Sequence, residues 1–288
     1  PSSGTPRDLS FPDIARSTLD SGLEVNTVPY GDLPVVYLRL VVRSGDAHDP
    51  ADLPGLAHFV AQMLEEGTES RTSAELAEAI EFLGADLYVG SDEENVYVMI
   101  RALEEHLDEA MAILADVARH PRFSEEELGR LKRRELGRLA LASRRPRYLA
   151  RRAFYRHLYG SHPYARVDTE PEAVQAMSRS ALREWHDTHF VPNNAFLVAV
   201  GAVTPERVRE AAAAHFDGWA PGEVPETQYP EPPRREAREV LVVDRPASSQ
   251  SMIYVGNLAL ERRDPDYVPL AVANQVLGGS AASRLFMD

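Results

Sequence analysis

The chain contains no cysteine, which excludes disulfides, thiolate ligands and thiol nucleophiles and leaves the redox compartment open. No apolar run approaches the roughly 20 residues that a membrane-spanning helix needs. Positive charge is in deficit: 31 Lys and Arg stand against 45 Asp and Glu, a net charge of −14. That balance disfavours non-specific binding to nucleic acid or anionic membranes and favours solubility. No targeting segment is evident. The chain opens on Pro1-Ser2-Ser3-Gly4, as a mature or trimmed end would, so cytoplasmic and exported settings both stay open. What remains is ordinary globular material. A hydrophobic content of 44% suffices for packed cores, and 288 residues suggest about two domains.

The most informative stretch is Leu53 to Thr68, reading Leu-Pro-Gly-Leu-Ala-His-Phe-Val-Ala-Gln-Met-Leu-Glu-Glu-Gly-Thr. Leu56, Phe59, Val60 and Met63 recur at helical spacing and predict one apolar stripe. Pro54 suits the first turn, and Gly67 suits the C-terminal cap. His58 lies on this helix. Residues at i and i+4 share a helix face, so two imidazoles there can hold one zinc, and a Glu at i+3 can take a proton from the zinc-bound water.

This stretch resembles the signature helix of the pitrilysin/insulinase family of zinc peptidases, the inverzincins, whose motif is His-x-x-Glu-His. Here the five positions read His58-Phe59-Val60-Ala61-Gln62. The resemblance implies that the first ligand is kept, that Ala61 replaces the general base, and that Gln62 replaces the second ligand. The family's third ligand, a Glu roughly 75 residues beyond the second His, falls near Gly137 and Arg138. The one acid in residues 128–145 is Glu135, read as an exposed i,i+3 pair with Arg138 rather than as a ligand. Arginine beside such a site also repels a dication. The expectation is a degenerate site holding no metal and no other cofactor, with zinc only in a catalytic partner.

In chain order, residues 23–28 and 35–42 predict a β-hairpin turning around Pro29-Tyr30-Gly31-Asp32. His48, in the following loop, is expected to be solvated. A helix over 73–82 has a Thr72/Glu75 capping box and ends at Gly84. Residues 86–91 and 95–101 predict an antiparallel pair, with Asp92-Glu93-Glu94 as a solvated tip. Helices over 104–119 and 125–144 follow, the second capped by Ser124 and Glu127. Another runs to about Tyr159, bearing arginines 144, 145, 147, 151, 152 and 156 that continue a basic stretch begun at Arg130. That face either meets solvent and neighbouring carboxylates or docks an acidic partner or substrate.

Tyr159-Gly-Ser-His162-Pro-Tyr164 resembles a family loop in which the histidine is structural, so His162 is expected to pack or cap. A helix over 178–189, a strand over 195–201 and a helix from Thr204-Pro205 to about Phe216 come next; Val191-Pro-Asn-Asn194 and the strand also resemble the family. Residues 218–236 carry five prolines and predict an extended linker. Beyond it, 240–243 and 251–255 predict strands and a helix follows. Pro265 and Pro269 each lie 215 residues after Pro50 and Pro54. This predicts a second copy of the fold, with Ala273 and Leu277 at the places of His58 and Gln62. Leu277-Gly278-Gly279 through Ser283-Arg284-Leu285 again resembles the family. Gly278-Gly279 lacks the Lys-Ser/Thr ending that a phosphate loop requires.

The expected fold is therefore α+β: a two-layer structure of an antiparallel sheet with helices packed on one face, in duplicated domains. The expected units are a lead-in (1–15), a first domain (16–217), a proline-rich linker (218–236) and the start of a second domain (237–288), too short to bury a core alone and expected to be a truncated piece of a longer protein. The family resemblance implies a catalytically inactive subunit that completes a peptide-binding chamber with a zinc-bearing pitrilysin-like partner or in a homodimer, after the pattern of the processing peptidases. Two alternatives stand beside it. One is an active zinc metalloendopeptidase with a rearranged site, using His58 with Glu65 or Glu135; Glu65, two turns on, is about 10 Å along the axis. The other is a structural subunit like the core proteins of respiratory complexes.

Overall fold

The computed structural model describes residues 11–246 and 248–287. The first ten residues of the expected lead-in lie outside the described residues. Strands β1 (Ala15–Thr18), β2 (Glu24–Pro29) and β3 (Val35–Val42) precede helices α1 (Leu56–Leu64) and α2 (Ser73–Phe82). Strands β4 (Asp86–Ser91) and β5 (Val96–Leu103) form an antiparallel pair, followed by α3 (Leu107–Arg119), α4 (Glu125–Ala142) and α5 (Pro146–Tyr159). Then come α6 (Pro171–Ala176), α7 (Arg179–His189), β6 (Ala195–Gly201) and α8 (Pro205–Phe216). Two further helices, α9 (Tyr267–Gly278) and α10 (Arg284–Met287), lie near the C-terminal end.

The architecture is the expected one, among the described residues a six-stranded sheet with helices on one face, and the strand order is β1-β2-β6-β3-β5-β4. The hairpin expected between β2 and β3 does not form, because β6 lies between them, parallel to β2 and antiparallel to β3. The sheet is thus antiparallel except at one pairing. β6 reads Ala-Phe-Leu-Val-Ala-Val-Gly, without a charge, as suits a central strand. Its alternate residues Ala195, Leu197 and Ala199 are buried. They continue the rows of Leu38 and Leu40 on β3 and Val98 and Ile100 on β5, and Leu38 pairs with both Ala199 and Ile100. Gly201 ends β6 at φ 145, and a Cβ there would stand 2.1 Å from the Val35 carbonyl oxygen. Helices α1, α3, α7 and α8 cover this face with Phe59, Met63, Leu114, Val117, Leu182, Val208 and Phe216, all buried.

Local signals mostly act as their chemistry requires. Thr72 and Glu75 form the reciprocal capping box of α2, and Thr204 caps α8 with Pro205 in the first turn. Ser124 stands at the N-cap of α4, but its side chain makes no capping bond. Helix α1 begins later than expected. Pro54 precedes it, Gly55 is the N-cap, and Gly67 lies beyond the end, in a bridge with Thr72.

The linker residues 218–236 form no helix or strand and run against the preceding unit. Trp219 is buried and its indole donates to the Phe190 carbonyl at 3.0 Å. Gly222 and Asn193 exchange two hydrogen bonds of 3.0 and 2.8 Å. The strands expected over 240–243 and 251–255 do not form; these residues are extended and largely exposed. A strand needs a neighbour to satisfy its ladder groups, and among the described residues neither segment pairs with the other or with the sheet. They flank a cavity of about 1320 Å³ against Leu149, Ala153, Phe154 and Leu158 of α5. The helix after the linker starts at Tyr267, 211 residues after Leu56, so Pro269 sits inside its first turn. Counted from the helix starts, Pro269 and Ala273, rather than Ala273 and Leu277, match His58 and Gln62. Among the described residues, no helix is long and apolar enough to cross a membrane.

Candidate functional site

Helix α1 is set by a buried carboxylate. Asp49 accepts from the N–H groups of Gly55 at 2.6 Å and Ala57 at 2.8 Å, which satisfies donors that a helix N-terminus otherwise leaves open. Gly55 adopts φ 92, and a Cβ there would meet Thr169 at 2.8 Å. The Thr169 hydroxyl donates to the Pro54 carbonyl at 2.5 Å, tying the helix start to the loop after α5. Burial pushes the Asp49 carboxyl up to about 8, with the neighbouring Asp46 carboxyl adding to the rise and the two N–H bonds opposing it. Burial likewise pushes Asp46 up to about 6.

Of the nine residues of α1, seven are buried; only His58 and Gln62 are partly open. The i,i+4 pair therefore does share one face, and that face looks toward α4. Ala61 is fully buried. Arg134 of α4 donates to the Gln62 side-chain oxygen at 3.3 Å. One turn on, Arg138 donates through Nε to both oxygens of Glu135 at 2.9 Å, and through Nη2 to Glu135 and to Asp168. Glu135 is 4% exposed, so the pair expected to be exposed is not: its carboxylate lies in the interior and its arginine covers it. Burial lowers the His58 imidazole below its usual value; Glu135 and Asp168 raise it and Arg138 and Arg134 lower it further. His58, Gln62, Arg134, Glu135, Arg138 and Asp168 thus form one polar cluster.

Glu65 is not part of the cluster. Its carboxylate turns to the sheet and accepts from the Val89 N–H at 2.9 Å. Among the described residues, no group of three or more His, Cys, Asp or Glu is placed to hold a metal ion. The sequence reading missed Asp49, Arg134 and Asp168. An Asp-Pro pair ahead of a helix hints at a cap, whereas Asp168 reaches α4 only through the fold.

A second cluster was also missed. His48, expected to be solvated, accepts from the Gly45 N–H at 3.1 Å and stands edge-on to His189 at 5.8 Å and to Tyr229 of the linker at 6.3 Å. His162 caps the turn after it, accepting from the Tyr164 N–H at 3.1 Å, and packs on Tyr229, as expected of a structural histidine. Burial, with His48 nearby, lowers His189 to about 4. The Asp92–Glu94 tip is a turn in which Asp92 accepts from the N–H groups of Glu94 and Asn95, while Glu94 accepts from the Tyr164 hydroxyl.

The site is thus an i,i+4 pair on α1 that faces α4, over a sheet covered on one face. Comparison with known proteins identifies the family. Residues 32–171 match the family model "Insulinase (Peptidase family M16)" and residues 176–288 match "Peptidase M16 inactive domain". The chain belongs to peptidase family M16, the insulinase or pitrilysin family. It is 23% identical over 277 residues to the uncharacterized zinc protease YmxG of Bacillus subtilis, covering 96% of this chain and 66% of that protein. It is 24% identical over 275 residues to a probable mitochondrial-processing peptidase subunit beta of Arabidopsis thaliana, covering 94% of this chain and 51% of that protein. A solved peptidase M16 inactive domain from Pseudomonas fluorescens superposes with a TM-score of 0.82 at 24% identity, covering 95% of this chain and 66% of the other. A protease from Helicobacter pylori gives 0.83 at 18%, covering 96% and 68%. These likenesses show the fold, and the chain spans about two thirds or less of the curated relatives it matches.

Proposed function

We propose that this chain is a non-catalytic pitrilysin-like subunit that completes a peptide-binding chamber with a zinc-bearing partner of the same family. The observation that carries the reading is the Arg138 guanidinium, joined to both Glu135 and Asp168 beside His58. The donor set does not suit zinc. It offers one imidazole, a neutral amide already engaged by Arg134, and two carboxylates already engaged by Arg138. A dication would have to displace fixed cations within a few ångströms, which is repulsive at any reasonable dielectric. No acid stands at position 61 to take a proton from an attacking water. That one M16 relative is named as a subunit supports a multi-chain setting.

The test is zinc content by elemental mass spectrometry after dialysis at neutral pH, with peptide cleavage measured on the same sample. The expected result is far less than one equivalent of zinc and no chelator-sensitive cleavage. One equivalent of zinc, with cleavage abolished by His58→Ala, would overturn the proposal in favour of a rearranged active site.

A further inference from the structure

Charge is strongly segregated along the chain. Residues 130–156 hold eleven Lys and Arg and a single acid, Glu135, so this segment carries +10. The other residues hold twenty cations against forty-four acids, a net −24. The segment comprises most of α4, the Ser143–Arg145 turn and α5.

The structure divides these cations into two sets. Arg130 pairs with Glu126 and Glu127, Arg138 with Glu135 and Asp168, and Arg152 and Arg156 share Glu170. Arg133, Arg134, Arg144, Arg145, Arg147 and Arg151 make no ion pair among the described residues, and all six are exposed. An acidic protein could readily have paired them. Elsewhere on the surface, Arg43 meets Glu24, Arg101 meets Asp86 and Arg207 meets Asp108. A ridge of unpaired guanidiniums on an acidic body focuses a positive potential along one path. In chain order these arginines run from the candidate site, where Arg134 holds Gln62, through the interhelix turn onto α5.

We infer that this ridge docks an extended acidic polypeptide segment and leads it to the His58–Gln62 face; the inference rests on the peptide-binding reading above. Guanidinium forks match carboxylates in geometry and charge. Arg147 and Arg151 stand four residues apart on α5, about 6 Å along the axis. Alternate side chains of an extended peptide are about 6.7 Å apart on one side. The ridge therefore favours acids at every second position.

The test measures fluorescence anisotropy of labelled peptides on the full chain: an alternating Glu/Thr peptide, its Gln/Thr and Lys/Thr counterparts, and a single-stranded oligonucleotide of equal charge. The Glu/Thr peptide is expected to bind at least tenfold more tightly than the Gln/Thr peptide, weakening about tenfold between roughly 0.05 and 0.3 M salt. The triple variant Arg144→Ser, Arg145→Ser, Arg147→Ser should weaken it about tenfold. The control triple Arg16→Ser, Arg209→Ser, Arg263→Ser alters exposed arginines elsewhere by the same net charge and should change it less than twofold. Circular dichroism checks that both variants fold.

Equal binding of the Glu and Gln peptides would remove the ridge proposal and leave the peptide-binding reading standing. Binding of none of the peptides would remove both. Equal loss in the two triple variants, or tighter binding of the oligonucleotide, would show a non-specific polyanion surface and overturn the proposal. So would sedimentation showing that the ridge variant abolishes self-association rather than peptide binding.

Discussion

At the scale of single residues, Arg138 joins an acid of α4, Glu135, to an acid of the loop that anchors α1, Asp168. Because Glu135 is buried and its partner is half-open, removing only the arginine strands a charge in the interior. Arg138→Met should cost about 2–3 kcal/mol in urea unfolding, less than a fully buried pair would. Adding Glu135→Leu should recover most of that loss, since replacing both partners by apolar groups leaves nothing unsatisfied. The same guanidinium governs any attempt to restore the site. Ala61→Glu with Gln62→His supplies the missing motif but leaves Arg138 in place, and zinc should bind weakly by competition titration. Adding Arg138→Glu exchanges a repelling cation for a ligand and should tighten zinc at least tenfold.

His189 gives a residue-scale prediction with a defined sign. Its folded value, about 4, lies below the ordinary 6.5. Above pH 6.5 it is neutral in both states and contributes no slope. As pH falls from 6.5 toward 4, the unfolded chain takes up a proton that the folded chain refuses, and stability is lost. His189→Phe keeps a ring against Trp185 and cannot titrate. Between pH 7 and 4.5 the variant should lose about 1–3 kcal/mol less stability than the parent chain, by urea midpoints. An identical slope in the two proteins would assign the acid sensitivity elsewhere.

At the scale of elements, α1 depends on its start. Asp49→Ala leaves the Gly55 and Ala57 donors open beneath the loop and should cost about 1–2 kcal/mol. Gly55→Ala combines a left-handed φ with a contact against Thr169 and should cost at least as much. If thermal melts of both variants match the parent chain, α1 is held by packing rather than by its cap. Elements were the most legible part of the sequence. Capping chemistry marked α2 and α8, and apolar periodicity marked α1 and the β4–β5 pair, because those signals act within a few residues. The place of β6 was not legible. A strand over 195–201 was legible, but nothing local says that it enters between β2 and β3, some 170 residues back. Likewise the motif positions His58, Ala61 and Gln62 could be read from spacing, whereas burial of Glu135 and the reach of Asp168 to Arg138 arise only once α4 packs on α1.

At the scale of the whole molecule, the chain divides by the quality of its burial. Residues 15–219 carry nearly all of the buried apolar side chains, while Val240, Leu241, Val242, Ile253, Val255 and Val272 stand 57–92% exposed. Segments with few buried contacts and few backbone partners open at low free-energy cost. Arg234, Arg235 and Arg238 place trypsin sites in that stretch, whereas Arg245 precedes Pro246 and is not cut; of the three, among the described residues, Arg235 alone is tied down, through Glu239 and the His157 carbonyl. Brief trypsin treatment of the native chain should therefore cut first after residues 234, 235 or 238 and leave a resistant fragment containing all six strands. The exposed arginines 133, 134, 144, 147 and 151 of α4, α5 and their turn are the competing sites, Arg145 being protected by Pro146. Their backbone is helical over most of its length, and cleavage requires local unfolding of a helix packed on its neighbours, so they should be cut later despite their exposure. Mass spectrometry of the first fragments decides between the two. Primary cuts after Arg144 or Arg147 would show that the α4–α5 turn opens more readily than the stretch after the linker, and that the ridge is not a preformed surface.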